Sequence, residues 1–239
     1  MTMGDAGTRI ELTGLPGIPE TALSDALVAT LPENLAPAPW TCQCFAVVWV
    51  DRGGSAATGA LPSALAGNKG LVTLGGFVRY TDSPVGPYNE VLGMVGSRNG
   101  LQPWGNVAFM SVDSPASLVG GRTNWAMPKT LGRFDGEPTA GRTMTGAGAD
   151  EMPWSVSATS FAVGPAIPLR SRGIARQQFA DGRIGDSVLS FAGRVRPAIV
   201  TVGASSAGAL PALLRPGRHL GAVIHKATFT LGEPTFGSG

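Results

Sequence analysis

Thirty-five glycines and 19 prolines, spread through 239 residues, cut this chain into short apolar runs. Glycine weakens the interior of any regular element, and proline removes a backbone donor. Long helices are therefore a poor fit. Read with the runs between them, these residues mark turns between many short strands. Strands are predicted over 40–50, 71–80, 90–95, 104–112, 139–146, 154–163, 187–195, 198–202 and 223–231. The 40–50 run is almost wholly apolar and reads as a strand buried on both faces. Three helical pieces are predicted. One spans 20–31, where Pro19 opens the first turn and Leu23, Leu27 and Leu31 fall four apart. The second is a turn or two over 60–67, after a Gly-rich turn at 51–59. The third spans 114–121, with Ser114 as cap and Pro115 at the first helical position.

Strands that follow one another without regular helices between them argue against a parallel βαβ sheet. The expected class is mainly β (β-rich α+β), a mostly antiparallel curved sheet or barrel with a few short helices. No repeat, linker or shift in composition divides the chain, so one domain over 1–239 is expected, with 1–39 as an irregular segment packed on it.

Charged residues make up only 14% of the chain, and the net charge is +2. So little charge implies much hidden surface, in a large core or in contacts between subunits. Lys and Arg form no basic run, so no nucleic acid partner is expected. No apolar stretch reaches membrane-spanning length, and residues 1–11 carry Asp5, Arg9 and Glu11 without an apolar leader core. No membrane partner and a cytoplasmic location are the expectations. Cys42 and Cys44 lie two apart and, on a strand, share a face. With His219 and His225 they make a poor metal set, and they read as two small buried thiols. The glycine-rich segments lack the strand–GxGxxG–helix context of a nucleotide site. No cofactor and no metal are expected.

Lysine is the most informative residue because it is rare: three lysines stand against 15 arginines. Lys69 sits in a Gly-Asn-Lys-Gly turn, and Lys226 follows His225 in a strand, predicted exposed. Lys129 is flanked by Trp125, Met127, Pro128 and Leu131. An apolar setting disfavours an ammonium, and a neutral amine can attack a carbonyl to form a Schiff base. The alternative is a lysine whose stem packs on Trp125 while its head reaches water.

Two motifs connect Lys129 to a known pattern. The first is Gly86-Pro87-Tyr88-Asn89-Glu90. The second, some forty residues on, is Gly121-Arg122-Thr123-Asn124-Trp125-Ala126-Met127-Pro128-Lys129-Thr130-Leu131-Gly132. In order and separation they resemble the acetoacetate decarboxylase family, most clearly over 71–134. The resemblance implies a cone-like, mostly antiparallel β-barrel with an apolar interior, in a protein that self-associates as a dimer or larger homo-oligomer. It implies Lys129 as the Schiff-base residue and Glu90 as an active-site carboxylate able to shuttle protons or orient substrate. Glu90 could instead pair with an arginine such as Arg122. Tyr88 shares a face with Glu90 and is either a donor to a substrate oxygen or a core tyrosine. Arg122 is either a bidentate carboxylate binder or a structural pair. Trp125 and Met127 read as walls of a pocket or of the core.

The chain departs from the pattern in three places. Thr130 stands where the family has a second lysine, Gly75 where it has a second acid, and 40–50 holds no arginine. The retained tyrosine, glutamate and single lysine better match relatives that resemble aldolase-dehydratases. The function expected is a carbon–carbon lyase working through Lys129 on a small or biosynthetic keto acid or carbonyl compound other than acetoacetate, by decarboxylation or aldol/dehydration chemistry. The alternatives are a cofactor-independent cyclase or isomerase of secondary metabolism, and a non-catalytic small-molecule-binding barrel.

Overall fold

The computed structural model describes residues 11–237. Residues 1–10, most of the stretch read for a leader, lie outside the described residues. Among the described residues there are twelve strands: β1 (Trp40–Arg52), β2 (Val72–Asp82), β3 (Tyr88–Asn99), β4 (Gln102–Val112), β5 (Lys129–Leu131), β6 (Arg133–Gly136), β7 (Thr143–Gly148), β8 (Trp154–Ala162), β9 (Ile167–Gln178), β10 (Ile184–Ser206), β11 (Gly217–Leu231) and β12 (Thr235–Phe236). The chain is mostly β, as its composition implies, and the strands form one curved sheet.

Seven strands pair in a closed circuit, β11-β1-β2-β3-β4-β9-β10 and back to β11. All but one of these pairings are antiparallel. The exception is the β4–β9 seam, joined in parallel by a single bridge, Gly105 to Ala175. Side chains supply what the ladder lacks there. The Gln177 amide donates to the carbonyls of Val107 (3.1 Å) and Ala126 (3.3 Å) and accepts from the Val107 N–H (2.9 Å) and Asn106 Nδ2 (2.6 Å). A buried amide with this many partners satisfies backbone groups that an open seam would strand. Short β5 also runs parallel to β4, with Lys129 opposite Met110. Beyond its last pairing with β9, the far half of β10 stays paired with β11 through Val202 and carries β8, then β7 and β6, on its other edge.

The two sides of these strands differ. Alternate residues Trp40, Cys42, Cys44, Ala46 and Val48 of β1 face the inside of the circuit, where they line a cavity of about 420 Å³. Val47 and Trp49 face the other way, into a packed core with Phe77, Phe109, Trp154 and Val200. That core is aromatic and close-fitting: Phe109 meets Trp154 edge to face at 5.2 Å between ring centroids. The 40–50 strand is thus apolar on both sides, but only one side is filled.

Several elements differ from the sequence expectation. The predicted 20–31 helix is two short pieces, a 3-10 turn Pro19–Thr21 and a helix Asp25–Val28. Ala22 is extended between them, and Ser24 restarts the helix by accepting from Leu27 N. The 51–59 turn holds a short helix, Ser55–Gly59, and 60–67 only a 3-10 turn, Ser63–Leu65. The predicted strands 187–195 and 198–202 are one strand. Pro197 sits within it just after an irregularity between Arg194 and Val195. β5, β6, β9 and β12 lie outside the predicted strands. The helix expected at 114–121 runs Pro115–Trp125, capped by Ser114, which accepts from Ser117 N at 3.2 Å.

Candidate active site

Lys129 reaches the closed end of the cavity through a tight reversal. The Pro115–Trp125 helix ends at Ala126, whose backbone is left-handed (φ 53°). Ala126 N–H bonds to the Arg122 carbonyl and Met127 N–H to that of Gly121, the first of which is the bond of an αL-type cap. Pro128 forbids continuation, and Lys129 enters β5 pointing back along the helix. Its stem passes directly over Gly121. A Cβ at that position would stand 2.5 Å from Lys129 Cδ and Cε, so glycine in the Gly121-Arg122 motif is what lets the lysine through.

The amine is buried: Lys129 is 3% exposed and Glu90 2%. Nζ donates to Glu90 Oε2 at 3.0 Å and to Ser117 Oγ at 2.9 Å. Glu90 comes from β3, and its other oxygen accepts from the Tyr80 hydroxyl at 3.2 Å. Tyr80 (β2) and Tyr88 (β3) are cross-strand partners with rings stacked at 4.4 Å. The Lys129 nitrogen lies 5.2 Å from the Tyr88 ring centre and 6.0 Å from that of Trp40, within range of cation–π attraction. Burial first, and then the nearby Glu90 charge, holds both phenols well above the ordinary tyrosine range. They remain proton donors. Cys42 and Cys44 face the same space, and burial pushes both thiols up to about 12. They are protonated, poorly nucleophilic wall groups at neutral pH.

The structure brings Lys129, Glu90, Tyr88, Trp125 and Met127 around one cavity. It does not bring Arg122 there. That guanidinium donates to the carbonyls of Leu12 and Thr21, both at 2.5 Å, and of Lys129 at 2.6 Å. Burial lowers it to about 9, still charged at neutral pH. With its donors spent on backbone, Arg122 clamps the N-terminal segment to β5 and has no fork to offer a substrate carboxylate. Nor does it pair with Glu90, whose cation is Lys129. Thr130, in the position of the second lysine, is buried on the opposite side of β5 and does not line the cavity. Gly75 has no room for an acid, because a Cβ there would stand 2.3 Å from the Trp49 indole. Among the described residues, no group of three or more His, Cys, Asp and Glu gathers as a metal site.

Sequence reasoning passed over Tyr80 and Ser117. The argument that singled out Lys129 by rarity applies equally to tyrosine. The chain has only two, and both are here. Ser117 has no such signal, since it is one of several serines and acquires meaning only from the helix that turns it toward Lys129.

A sequence model of acetoacetate decarboxylase (ADC) matches residues 28–151, more than half of the chain. The protein belongs to the acetoacetate decarboxylase family. No curated protein sequence matches it. Among solved structures it is similar to the enduracididine biosynthesis enzyme MppR with HEPES buffer bound. That pair is 18% identical with a TM-score of 0.61, covering 85% of this chain and 89% of the other. It is also similar to MppR complexed with the condensation product of pyruvate and imidazole 4-carboxaldehyde (16% identity, TM-score 0.60, 84% and 90% covered). A third similar structure is acetoacetate decarboxylase from Legionella pneumophila subsp. pneumophila str. Philadelphia 1 (15% identity, TM-score 0.60, 87% and 90% covered). At such identities the likeness establishes the shared fold. No helix among the described residues is long and apolar enough to cross a membrane.

Proposed function

We propose that this family member is a carbon–carbon lyase that works through an imine at Lys129. The observation that carries the reading is the position of Nζ: at the closed end of an apolar cavity, between Glu90 at 3.0 Å and Ser117 at 2.9 Å. Glu90 is placed to accept a proton from the ammonium, which frees the amine lone pair to attack a carbonyl carbon. The carbonyl oxygen leaves as water once two protons have reached it, with Glu90 and the Tyr80 phenol in line to relay them. The resulting iminium accepts the electron pair of a breaking C–C bond, as in decarboxylation or retro-aldol cleavage. In the reverse sense, its enamine attacks an aldehyde. MppR, which shares the fold, binds a condensation product of pyruvate and an aldehyde, and that likeness supports aldol-type chemistry over acetoacetate decarboxylation. So does the lack of a second lysine beside Lys129.

Reductive trapping tests the proposal. The protein is incubated with pyruvate, acetoacetate and simple aldehydes in the presence of cyanoborohydride, and its intact mass is followed. The expected result is a covalent mass increase that maps to Lys129 and is absent in Lys129→Arg, which keeps the cation beside Glu90. Lys129→Ala also loses the adduct, but leaves Glu90 buried without a partner and costs about 3–5 kcal/mol of stability. Failure to trap any carbonyl would overturn the reading. Turnover that survives Lys129→Arg would favour a cavity that cyclises or isomerises its substrate without an imine.

A further inference from the structure

The cavity is built differently at its two ends. Charge is confined to the closed end, where Lys129 and Glu90 neutralise one another at 3.0 Å. Among the described residues no other charged side chain lines it, and the remaining walls are apolar apart from the phenols, the two thiols and Ser171. A substrate carboxylate taken into this space would lie buried with no free cation, at a cost of several kcal/mol. Arg122, whose guanidinium bonds the Lys129 carbonyl, already has three carbonyl partners.

The cavity is also long. On β1 its lining runs from Trp40 to Val48, eight steps of about 3.3 Å, or roughly 26 Å. Val48 lies opposite Ala222 of β11. One rung further the same side of the sheet continues as Val50, Leu220, Ile199 and Phe161, each opposite the next across four strands. Leu220 and Phe161 are 70% and 72% exposed. The apolar wall therefore carries on one rung past the cavity onto an open rim, beyond which the same side of the sheet presents Arg52 and Arg218.

We propose that this site takes an elongated, uncharged, apolar carbonyl compound, its carbonyl at Lys129 and its tail along the wall toward the Val50–Leu220 rim. The proposal rests on the imine reading above and names the substrate class for it. A small anionic keto acid would leave most of the wall unused and its own charge unpaired. An aliphatic or polycyclic aldehyde or ketone buries area along the whole length, and about 420 Å³ lies in the range of ordinary ligand cavities, roughly 300–1,000 Å³.

The test is a homologous series of unbranched aldehydes from acetaldehyde to dodecanal, beside pyruvate and acetoacetate, trapped with cyanoborohydride. A parallel measurement follows, by titration calorimetry, binding of the matching series of alcohols, which form no imine. Trapping efficiency at limiting aldehyde is expected to rise about two- to fourfold per added methylene until the chain reaches the rim. Neutral carbonyls should exceed the keto acids of similar size. Ala222→Trp, which blocks the path just before the rim, should lower the long-to-short ratio at least tenfold. Efficiency independent of length, or a preference for the keto acids, overturns the substrate class while leaving the imine reading intact. If no aldehyde is trapped but alcohol affinity still climbs with length, the imine reading falls and an elongated apolar occupant stands. If neither measurement depends on length, the inference falls as well.

Discussion

The two faces of β1 to β4 carry similar residues and do opposite things. On the outer face, Trp49, Phe77, Phe109 and Val91 pack against β8, the Ile18 segment and Leu210–Leu214 until little is left unfilled. On the inner face, Cys44, Val48, Leu74 and Met94 are just as apolar but border an open cavity. Hydrophobicity drives both faces out of water, but only one finds partners for its atoms. The dispersion forgone by the inner face is a cost to stability. What it provides is space around a buried lysine. Stability and chemistry are thus divided between the two sides of the same strands.

The largest effect should come from hollowing the filled face. Phe109→Ala removes a fully buried ring from contact with Trp154 and should cost about 3–5 kcal/mol. Met94→Ala on the cavity face should cost less than half as much, because its neighbourhood already contains a void and the side chain gives up fewer contacts. Denaturant midpoints of the two variants at matched slope measure the contrast. Equal costs would mean that the inner face is packed in solution and that the cavity closes.

This division also explains what could be read from the sequence and what could not. The apolar run at 40–50 announces a strand, and its residues cannot say whether the surface they meet is a side chain or a hollow. Both sides were therefore expected to be buried alike. β9 escaped notice for the converse reason. Its Arg170, Arg172 and Arg176 alternate with Leu169, Ser171 and Ala175, and Pro168 and Gly173 blur the period. The apolar half of that alternation meets the cavity, so it need not be strongly hydrophobic. Lys129 and Glu90 were legible through scarcity and spacing. The loss of Arg122 from the site was not, since its partners are backbone carbonyls at Leu12 and Thr21, over a hundred residues away, and carbonyls leave no mark in a sequence.

The thiols offer a way to probe the hollow face without altering it. Cys42 and Cys44 border the cavity, and burial raises both from 9.0 to about 12. At pH 9, where an exposed thiol is half ionised, these stay protonated. Their reaction with a neutral alkylating agent should be more than about tenfold slower than that of free cysteine and should accelerate only as pH approaches 12. Stability carries the same sign. A group whose folded value is raised contributes fully below the unfolded value and loses that contribution as pH rises. Wild type should therefore weaken between pH 9 and 12 more than the Cys42→Ala, Cys44→Ala double variant. Rapid labelling at pH 8 would mean that water fills the cavity to the depth of Cys42, and the electrostatic picture of a dry site would fail.

The smallest effect sits at the turn that aims Lys129 into the hollow. Ala126 is buried and holds φ at 53°, a conformation that costs a side-chain-bearing residue about 1–2 kcal/mol. Ala126→Gly relieves that strain, but gives up about 0.8 kcal/mol of methyl burial and adds about 0.5–1 kcal/mol of unfolded-chain entropy. The terms nearly cancel, so stability should stay within about 1 kcal/mol of wild type. Ala108→Gly, on the filled face with no strain to relieve, pays both costs and should lose about 1–2 kcal/mol. Borohydride trapping at Lys129 should nonetheless slow in Ala126→Gly, because a freer reversal aims the amine less well while Gly121 still admits it. A loss as large as that of Ala108→Gly, with trapping unchanged, would show that the turn is unstrained and that the helix and Glu90 alone position the lysine.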